Sequence, residues 1–412
     1  MNKKQVLLAT VIAALGYFVD AFDLIVASVV RSESITYLNL AMDTNSIKSL
    51  GLRFETVQSW GVLLGGIAFG ILGDRIGRTK VLFSTIALYS FFTLLNGLIQ
   101  PHWPYKSEIY SLCRFFSGFG LAGELGIGIT LVTEIMKKET RGWGSALIAS
   151  FGLLGCVVAG SFSAFLYFKW DILFILGGGL GLLLLATRFT VKDSQIFTHQ
   201  ASSKIAKGAF FSIFTNYSRL KRFIICILIG LPTYFVVGLP IKFAANYGAA
   251  MQIEGVSVAI TMITFYLAMS LGDIICNTIS QKLESRKKVF VLYNIFNFLA
   301  ILFFSLIPPK NIFQYQYIYS PLLGLSVGYW ALIVTYASES FGTNLRATVA
   351  TTVPNFIRAS FILIVILFEY FESIIGTINS GIVVGAICSF IAIIASLSMK
   401  ETFSIDLNYT EE

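Results

Sequence analysis

Apolar residues along this chain gather into twelve runs separated by polar stretches, at approximately 5–30, 55–74, 79–100, 107–136, 141–166, 170–190, 221–248, 256–281, 287–307, 313–340, 345–370 and 374–399. A helix needs about 20 mostly apolar residues to cross a bilayer, so each run predicts one membrane-spanning helix. The longest polar break, 191–220, holds Lys192, Lys204, Lys207 and Arg219 and splits the runs into two sets of six. The expectation is an all-α membrane protein: a six-helix bundle over 1–190, a linker over 191–220, a second six-helix bundle over 221–400 and a short tail over 401–412.

The two sets repeat one another. After run 4 come Glu134, six residues and Arg141; after run 10 come Glu339, six residues and Arg346. The loop after run 2 reads GILGDRIGRTK, and its counterpart after run 8, NTISQKLESRKK, is a weaker polar and basic copy. These pairs share an offset of about 205–207 residues. A duplicated six-span unit places a substrate site near the membrane midplane, between halves that rock about it.

Composition agrees with lipid as the main solvent. The 412 residues are 56% hydrophobic and 13% charged, with a mean hydropathy of +0.78, whereas a soluble domain carries about 25% charged residues. The net charge of +8 does not point to nucleic acid, because the basic residues sit in short clusters between apolar runs. With the N-terminus inside the cell, 21 Lys and Arg fall on the inner side and 7 on the outer, leaving Arg114 and Arg358 within the spans. That asymmetry orients the chain with both termini and the linker in the cytoplasm. Cys113, Cys156, Cys226, Cys276 and Cys388 lie in apolar runs at spacings that match no zinc pattern, and His102 and His199 lie in loops. Metal chemistry and a histidine relay therefore have little to work with, and no cofactor is expected. Residues 1–19 imitate a secretory signal, but the apolar run continues past Asp20 to Val30 without a small-residue cleavage site, so an uncleaved first span is expected.

The charges inside the spans carry the chemistry. Run 1 contains GYFVDAFDLIV, with Asp20 and Asp23 one turn apart, although a carboxylate at the centre of a membrane helix costs about 2.5–3.5 kcal/mol even on lenient scales. Residues three apart share a helix face, so both point away from lipid. Asp23 and Arg114 each lie about seven residues from the outer end of their spans, at matching depth. Arg114 is expected to neutralise Asp23 while Asp20 faces a cavity; the structural alternative is a polar cluster that locks spans 1 and 4 together. Glu124, about 15 Å below Arg114 along span 4, has no evident partner. It is either a group that loads and releases a proton or a permanently protonated acid held inside the bundle. Asp273 and Arg358 lie at similar depth in the second half; they either pair or leave Arg358 free for a two-pronged contact with a substrate carboxylate. Tyr234, Asn246, Tyr247, Tyr266, Tyr329 and Trp330 are candidate lining residues. Pro232, Pro240 and Pro354 mark expected bends.

The loop GILGDRIGRTK resembles the loop 2–3 signature of the major facilitator superfamily, carried by Gly70, Asp74, Arg75, Gly77, Arg78 and Lys80, with Thr79 as the departure. The resemblance extends over the whole chain through its twelve spans and 6+6 division. It implies that Asp74 meets the start of span 11, near 345–350, and steadies the outward-facing state. The repeated Glu134, Arg141, Glu339 and Arg346, on the same side of the membrane, are candidate gating residues beside it. CRFFSGFGLAGELGIG resembles the superfamily's span 4 motif through Arg114, Gly118, Gly120 and Ala122. Gly118, Gly120 and Gly123 also fit a dinucleotide fingerprint, but no βαβ pattern surrounds them, and small residues in membrane helices serve close packing.

Asp20-Ala-Phe-Asp23 resembles the metabolite–proton symporter branch of the superfamily. SIKSLG, LLGG, LAGELG and TLVTEIMKKETRG are similar to the phagosomal nutrient transporters of intracellular bacteria, a resemblance that implies amino acid uptake, with nucleosides as further cargo. The expected function is proton-coupled import of a small polar metabolite, an amino acid first, by a monomeric carrier that needs only substrate, protons and lipid. Organic acid or nucleoside symport, drug–proton antiport and a transporter-like receptor are the competing readings. The short tail and linker rank the receptor last. No nucleophile–base set suggests an enzyme.

Overall fold

The structure, a computed structural model, describes residues 3–136, 141–166, 168–187, 208–403, 405 and 409–411. Among these, every regular element is helical. Ten helices are long and apolar enough to cross a membrane, and Trp170–Ala186 is a shorter apolar helix. One of the ten, Arg346–Ser398, passes through Gly376 at φ +78°, a left-handed value that only glycine adopts easily, and so makes two crossings. The total is twelve, as the apolar runs predict.

Span 1 is Lys3–Val29, span 2 Thr44–Ile76, span 3 Arg78–Gly97, span 5 Arg141–Ala164 and span 6 Trp170–Thr187. Spans 8 and 9 are Val258–Lys282 and Arg286–Leu306, and spans 11 and 12 are the stretches either side of Gly376. Three spans are interrupted. Span 4 consists of Lys106–Leu121 and Glu124–Ile135, parted at Ala122–Gly123 in its glycine-rich stretch. Span 7, Tyr217–Val236, runs into a π-turn, Val237–Ile241, that contains Pro240. Proline has no N–H and crowds the preceding turn, which the wider turn accommodates. Pro232 and Pro354, by contrast, sit inside unbroken helix. Span 10 is split into Ser320–Ser326 and Trp330–Glu339.

Each half packs as a bundle. Span 1 lies on span 5 and span 3 on span 6; their counterparts, span 7 on span 11 and span 9 on span 12, do the same. The halves meet chiefly where spans 2 and 4 cross span 11 and where span 5 crosses span 8. The crossing of spans 4 and 11 is close: a Cβ added at Gly126 would stand 2.4 Å from the Cα of Thr351. With an even number of crossings both chain ends lie on one face, the terminal face. The expected linker residues 191–207, with His199, lie outside the described residues, as does the side chain of Arg141.

Candidate functional site

Arg358 stands at the centre of the interface, 6% exposed. Its guanidinium donates to Asn355 Oδ1 at 3.1 Å and lies 5.8 Å from the Trp330 ring. Tyr234 is within hydrogen-bonding reach, and Asp20 and Tyr17 of span 1 and Tyr266 of span 8 are within electrostatic range. Asn355 is itself anchored to the other half, donating at 2.8 Å to the carbonyl of Ala122. The break in span 4 exposes that carbonyl, so a local interruption in one half fixes the arginine of the other.

Beside this cluster lies a narrow cleft between the halves, lined by Leu24, Gln58, Val62, Tyr234, Arg358 and Phe361. It also holds two charges not singled out from the sequence, Glu55 of span 2 and Lys242 at the end of span 7, whose Nζ and Oε2 are 3.5 Å apart. Glu55 further accepts from Arg31 at 2.9 Å and Ser28 at 3.3 Å. Both stand near span ends, where charges ordinarily mark the interface. The signal that could have found them was that Glu55 and Lys242 fall within predicted apolar runs 2 and 7.

Asp23 is fully buried inside the first bundle, apart from the cleft. Its polar neighbours are Arg114 and Thr93, and a Cβ on Gly177 of span 6 would meet Asp23 Oδ1 at 1.8 Å. Arg114 lies 5.6 Å from the Phe174 ring. Thr93 is the polar side chain in reach of Asp23, and among the described residues no well-aligned hydrogen bond joins either carboxylate oxygen of Asp23 or either terminal nitrogen of Arg114 to a partner. The two charges therefore face each other at matching depth without touching. A separation of three residues is about 60° of rotation, enough to direct Asp23 toward spans 3, 4 and 6 and Asp20 toward spans 5 and 11.

Several candidate residues lie elsewhere. Glu124 has a partner after all: Thr85 Oγ1 donates to it at 2.7 Å, because the break in span 4 puts it at the start of a new helix facing span 3. The Tyr329 hydroxyl lies 3.1 Å from Asn294 Oδ1 and 3.2 Å from the Ile229 carbonyl, inside the second bundle and away from the cleft. Asn246 is exposed and lines a different pocket with Glu369 and Glu372, since the chain turns after the π-turn into the separate helix Ala244–Ala250. Asp273 does not pair with Arg358; it accepts from the Ala331 N–H at 3.1 Å, capping the half-helix that starts at Trp330. Among the described residues, no three His, Cys, Asp or Glu side chains gather as a metal site.

The terminal face is closed by polar contacts. Asp74 accepts from the backbone of Ala347 at 3.1 Å and of Thr348 at 2.8 Å, and from Thr348 Oγ1 at 2.7 Å. A carboxylate thus sits on the first turn of span 11, where the helix dipole favours it. Gly70 permits the approach, since its Cβ would lie 3.0 Å from Thr348 Cα. Gly77, at φ +104°, turns the chain from span 2 into span 3. Arg78 bridges Asp74 at 3.4 Å and Glu134 at 2.9 Å, and Arg346 crosses from the other half to Glu134 at 3.4 Å. Arg75 is exposed. The duplication recurs in these pairs. Arg286 binds Glu339 at 3.1 Å as Arg78 binds Glu134, with offsets of 286 − 78 = 208 and 339 − 134 = 205.

Two bundles meeting around a charged cleft, sealed on one face, define a secondary carrier. The chain belongs to the Major Facilitator Superfamily, whose family profile matches residues 13–365. It is a multi-pass membrane transporter of metabolites and not an enzyme. It is 25% identical to a Haemophilus influenzae protein described as a metabolite transport protein, over 84% of each chain. To a Cupriavidus pinatubonensis protein described as a 4-methylmuconolactone transporter it is 24% identical, over 81% of this chain and 76% of the relative. The fold is similar to that of the proton:xylose symporter XylE, with a TM-score of 0.79 at 14% identity over 99% of this chain and 98% of that one.

Proposed function

We propose that this carrier imports an amino acid together with a proton across a bacterial cytoplasmic membrane, with the terminal face inside the cell. The observation that carries the reading is the cleft between the halves. Its lining carries both signs of charge, Arg358 and Lys242 against Glu55, between the apolar walls Leu24, Val62 and Phe361, and the buried Asp20 lies behind it within electrostatic range of Arg358. A zwitterion with an apolar side chain matches that set: its carboxylate goes to Arg358, its ammonium to Asp20, and Tyr234, Tyr266 and Trp330 complete the wall.

The proton goes to Asp23. Its carboxylate is fully buried, with Thr93 in reach and Arg114 as the charge opposite it among the described residues. Protonation frees Arg114 from that attraction and removes one buried charge before the halves rock. Asp20 answers to Arg358 and so senses substrate. Glu124, held by Thr85, serves the fold of span 4. On the inner side, Gly70, Asp74, Arg78, Glu134 and Arg346 form the gate that must part to release cargo, while Arg286 and Glu339 brace the matching corner of the second half. The carrier acts as a monomer. The two cations of the cleft, Arg358 and Lys242, and the relative described as a 4-methylmuconolactone transporter favour an organic acid as the second reading.

The test is uptake into proteoliposomes of labelled amino acids beside organic acids and nucleosides, with and without an inside-alkaline pH gradient. Gradient-driven accumulation of an amino acid is expected. Accumulation indifferent to the gradient, or confined to another cargo class, refutes the corresponding part.

A further inference from the structure

The salt bridge between Glu55 and Lys242 joins span 2 to span 7 on the outer side of the cleft that holds Arg358. Its two ends are held unequally. Glu55 is gripped within its own half by Arg31 at 2.9 Å and Ser28 at 3.3 Å, both shorter than or comparable to the 3.5 Å contact with Lys242. Lys242 directly follows the π-turn at Pro240 and precedes the separate helix Ala244–Ala250, the part of span 7 with the least continuous helical bonding. Next to it, Phe243 meets Arg31 of the first half, with the guanidinium 4.6 Å from the ring centre. When the halves part on this side, Glu55 stays with Arg31 and Lys242 departs with span 7. The freed ammonium then faces a cleft whose other fixed cation is Arg358, and both cations belong to the second half.

We propose that Glu55 and Lys242 form an exchangeable outer gate, and that Lys242, once released from Glu55, is a further anchor for the substrate's carboxylate. The pair closes the cleft when empty, gives way to an incoming carboxylate, and re-forms behind it. This inference rests on the cleft being the substrate site, and it narrows the cargo to carboxylate-bearing molecules.

The gate is read with a cysteine at Ser59, a cleft-lining residue, labelled from outside in proteoliposomes with a membrane-impermeant maleimide. The five native cysteines are buried and their labelling is subtracted. Lys242→Gln and Glu55→Gln are each expected to speed labelling about fivefold, the scale of a partly exposed ion pair. Lys242→Arg should restore the slow rate. Unchanged labelling in both glutamine variants overturns the gate. The anchor is read by protection with L-leucine and with L-leucinamide, which keeps the ammonium and lacks the carboxylate. Leucine should protect and leucinamide should not. Lys242→Gln should raise the half-protecting leucine concentration several-fold, and Lys242→Arg should not. Equal protection by both probes, or a leucine response untouched by Lys242→Gln, overturns the anchor. Slow labelling that stays slow while leucine still protects removes the gate and leaves the amino acid reading standing. Fast labelling with protection by neither probe supports the gate and removes the amino acid reading.

Discussion

Replacing Asp74 with Asn tests whether the inner face is held shut by the contacts seen there. The carboxylate accepts three hydrogen bonds from Ala347 and Thr348 and lies 3.4 Å from Arg78. Asparagine keeps the shape and one acceptor oxygen, but turns an N–H group toward donors and removes the charge. Losing one charge-assisted hydrogen bond costs about 1.5–3 kcal/mol, and losing an anion at a buried helix N-terminus adds about 0.3–1 kcal/mol. The closed state is therefore destabilised by about 2–4 kcal/mol, an increase of about 30- to 1000-fold in the open-to-closed ratio. Thr351 is fully buried against span 4, and its hydroxyl has no hydrogen-bond partner among the described residues, so Thr351→Cys is a mild reporter. In inside-out vesicles, an impermeant maleimide should label that cysteine at least ten times faster when Asp74→Asn is added. A change of twofold or less would show that the contacts of Asp74 are formed at no net gain over the open state, and the gating argument would fall.

Asp23→Asn should abolish accumulation driven by an inside-alkaline gradient while sparing exchange at equal pH; retained gradient-driven accumulation would return the Asp23–Arg114 pair to scaffolding. Asn355→Leu removes a hydrogen bond to the Arg358 guanidinium, worth about 1.5–3 kcal/mol, and leaves the Ala122 carbonyl unpaired, so KM should rise about tenfold or more; an unchanged KM refutes the positioning role. Gly126→Val places a branched side chain where a Cβ alone would be 2.4 Å from span 11, so folded protein should lose uptake with its inner face unable to close, as fast Thr351→Cys labelling would show. Glu401 lies beyond the last span, where burial by itself would raise its carboxyl, but donors from Ser285 and the backbone of Arg286, Phe403 and Thr402 hold it below the usual range. A lowered folded-state value stabilises above the ordinary carboxylate range and is lost as pH falls through it. The small Tm advantage over Glu401→Gln at neutral pH should therefore vanish on acidification below about pH 4, and a gap that persists there contradicts the assignment.

The sequence by itself determined the spans, because a backbone in hydrocarbon must satisfy its own hydrogen bonds and a run of about 20 apolar residues has one economical way to do so. Depth was legible for the same reason. Rise per residue is fixed, so Asp23 and Arg114 could be matched by counting, and the loop signature led Asp74 to the start of span 11. Rotation and crossing were not legible. Which side of span 10 carries Tyr329 into its own bundle, where span 7 turns so that Asn246 leaves the cleft, and that Asp273 caps a half-helix instead of meeting Arg358 all depend on helix breaks that packing decides. Glu55 and Lys242, 187 residues apart in the chain, acquire a joint role only where spans 2 and 7 approach each other. Hydropathy is a property of one segment, whereas a gate is a property of two, and the short-range forces that make it act only after the tertiary structure has brought the charges within reach.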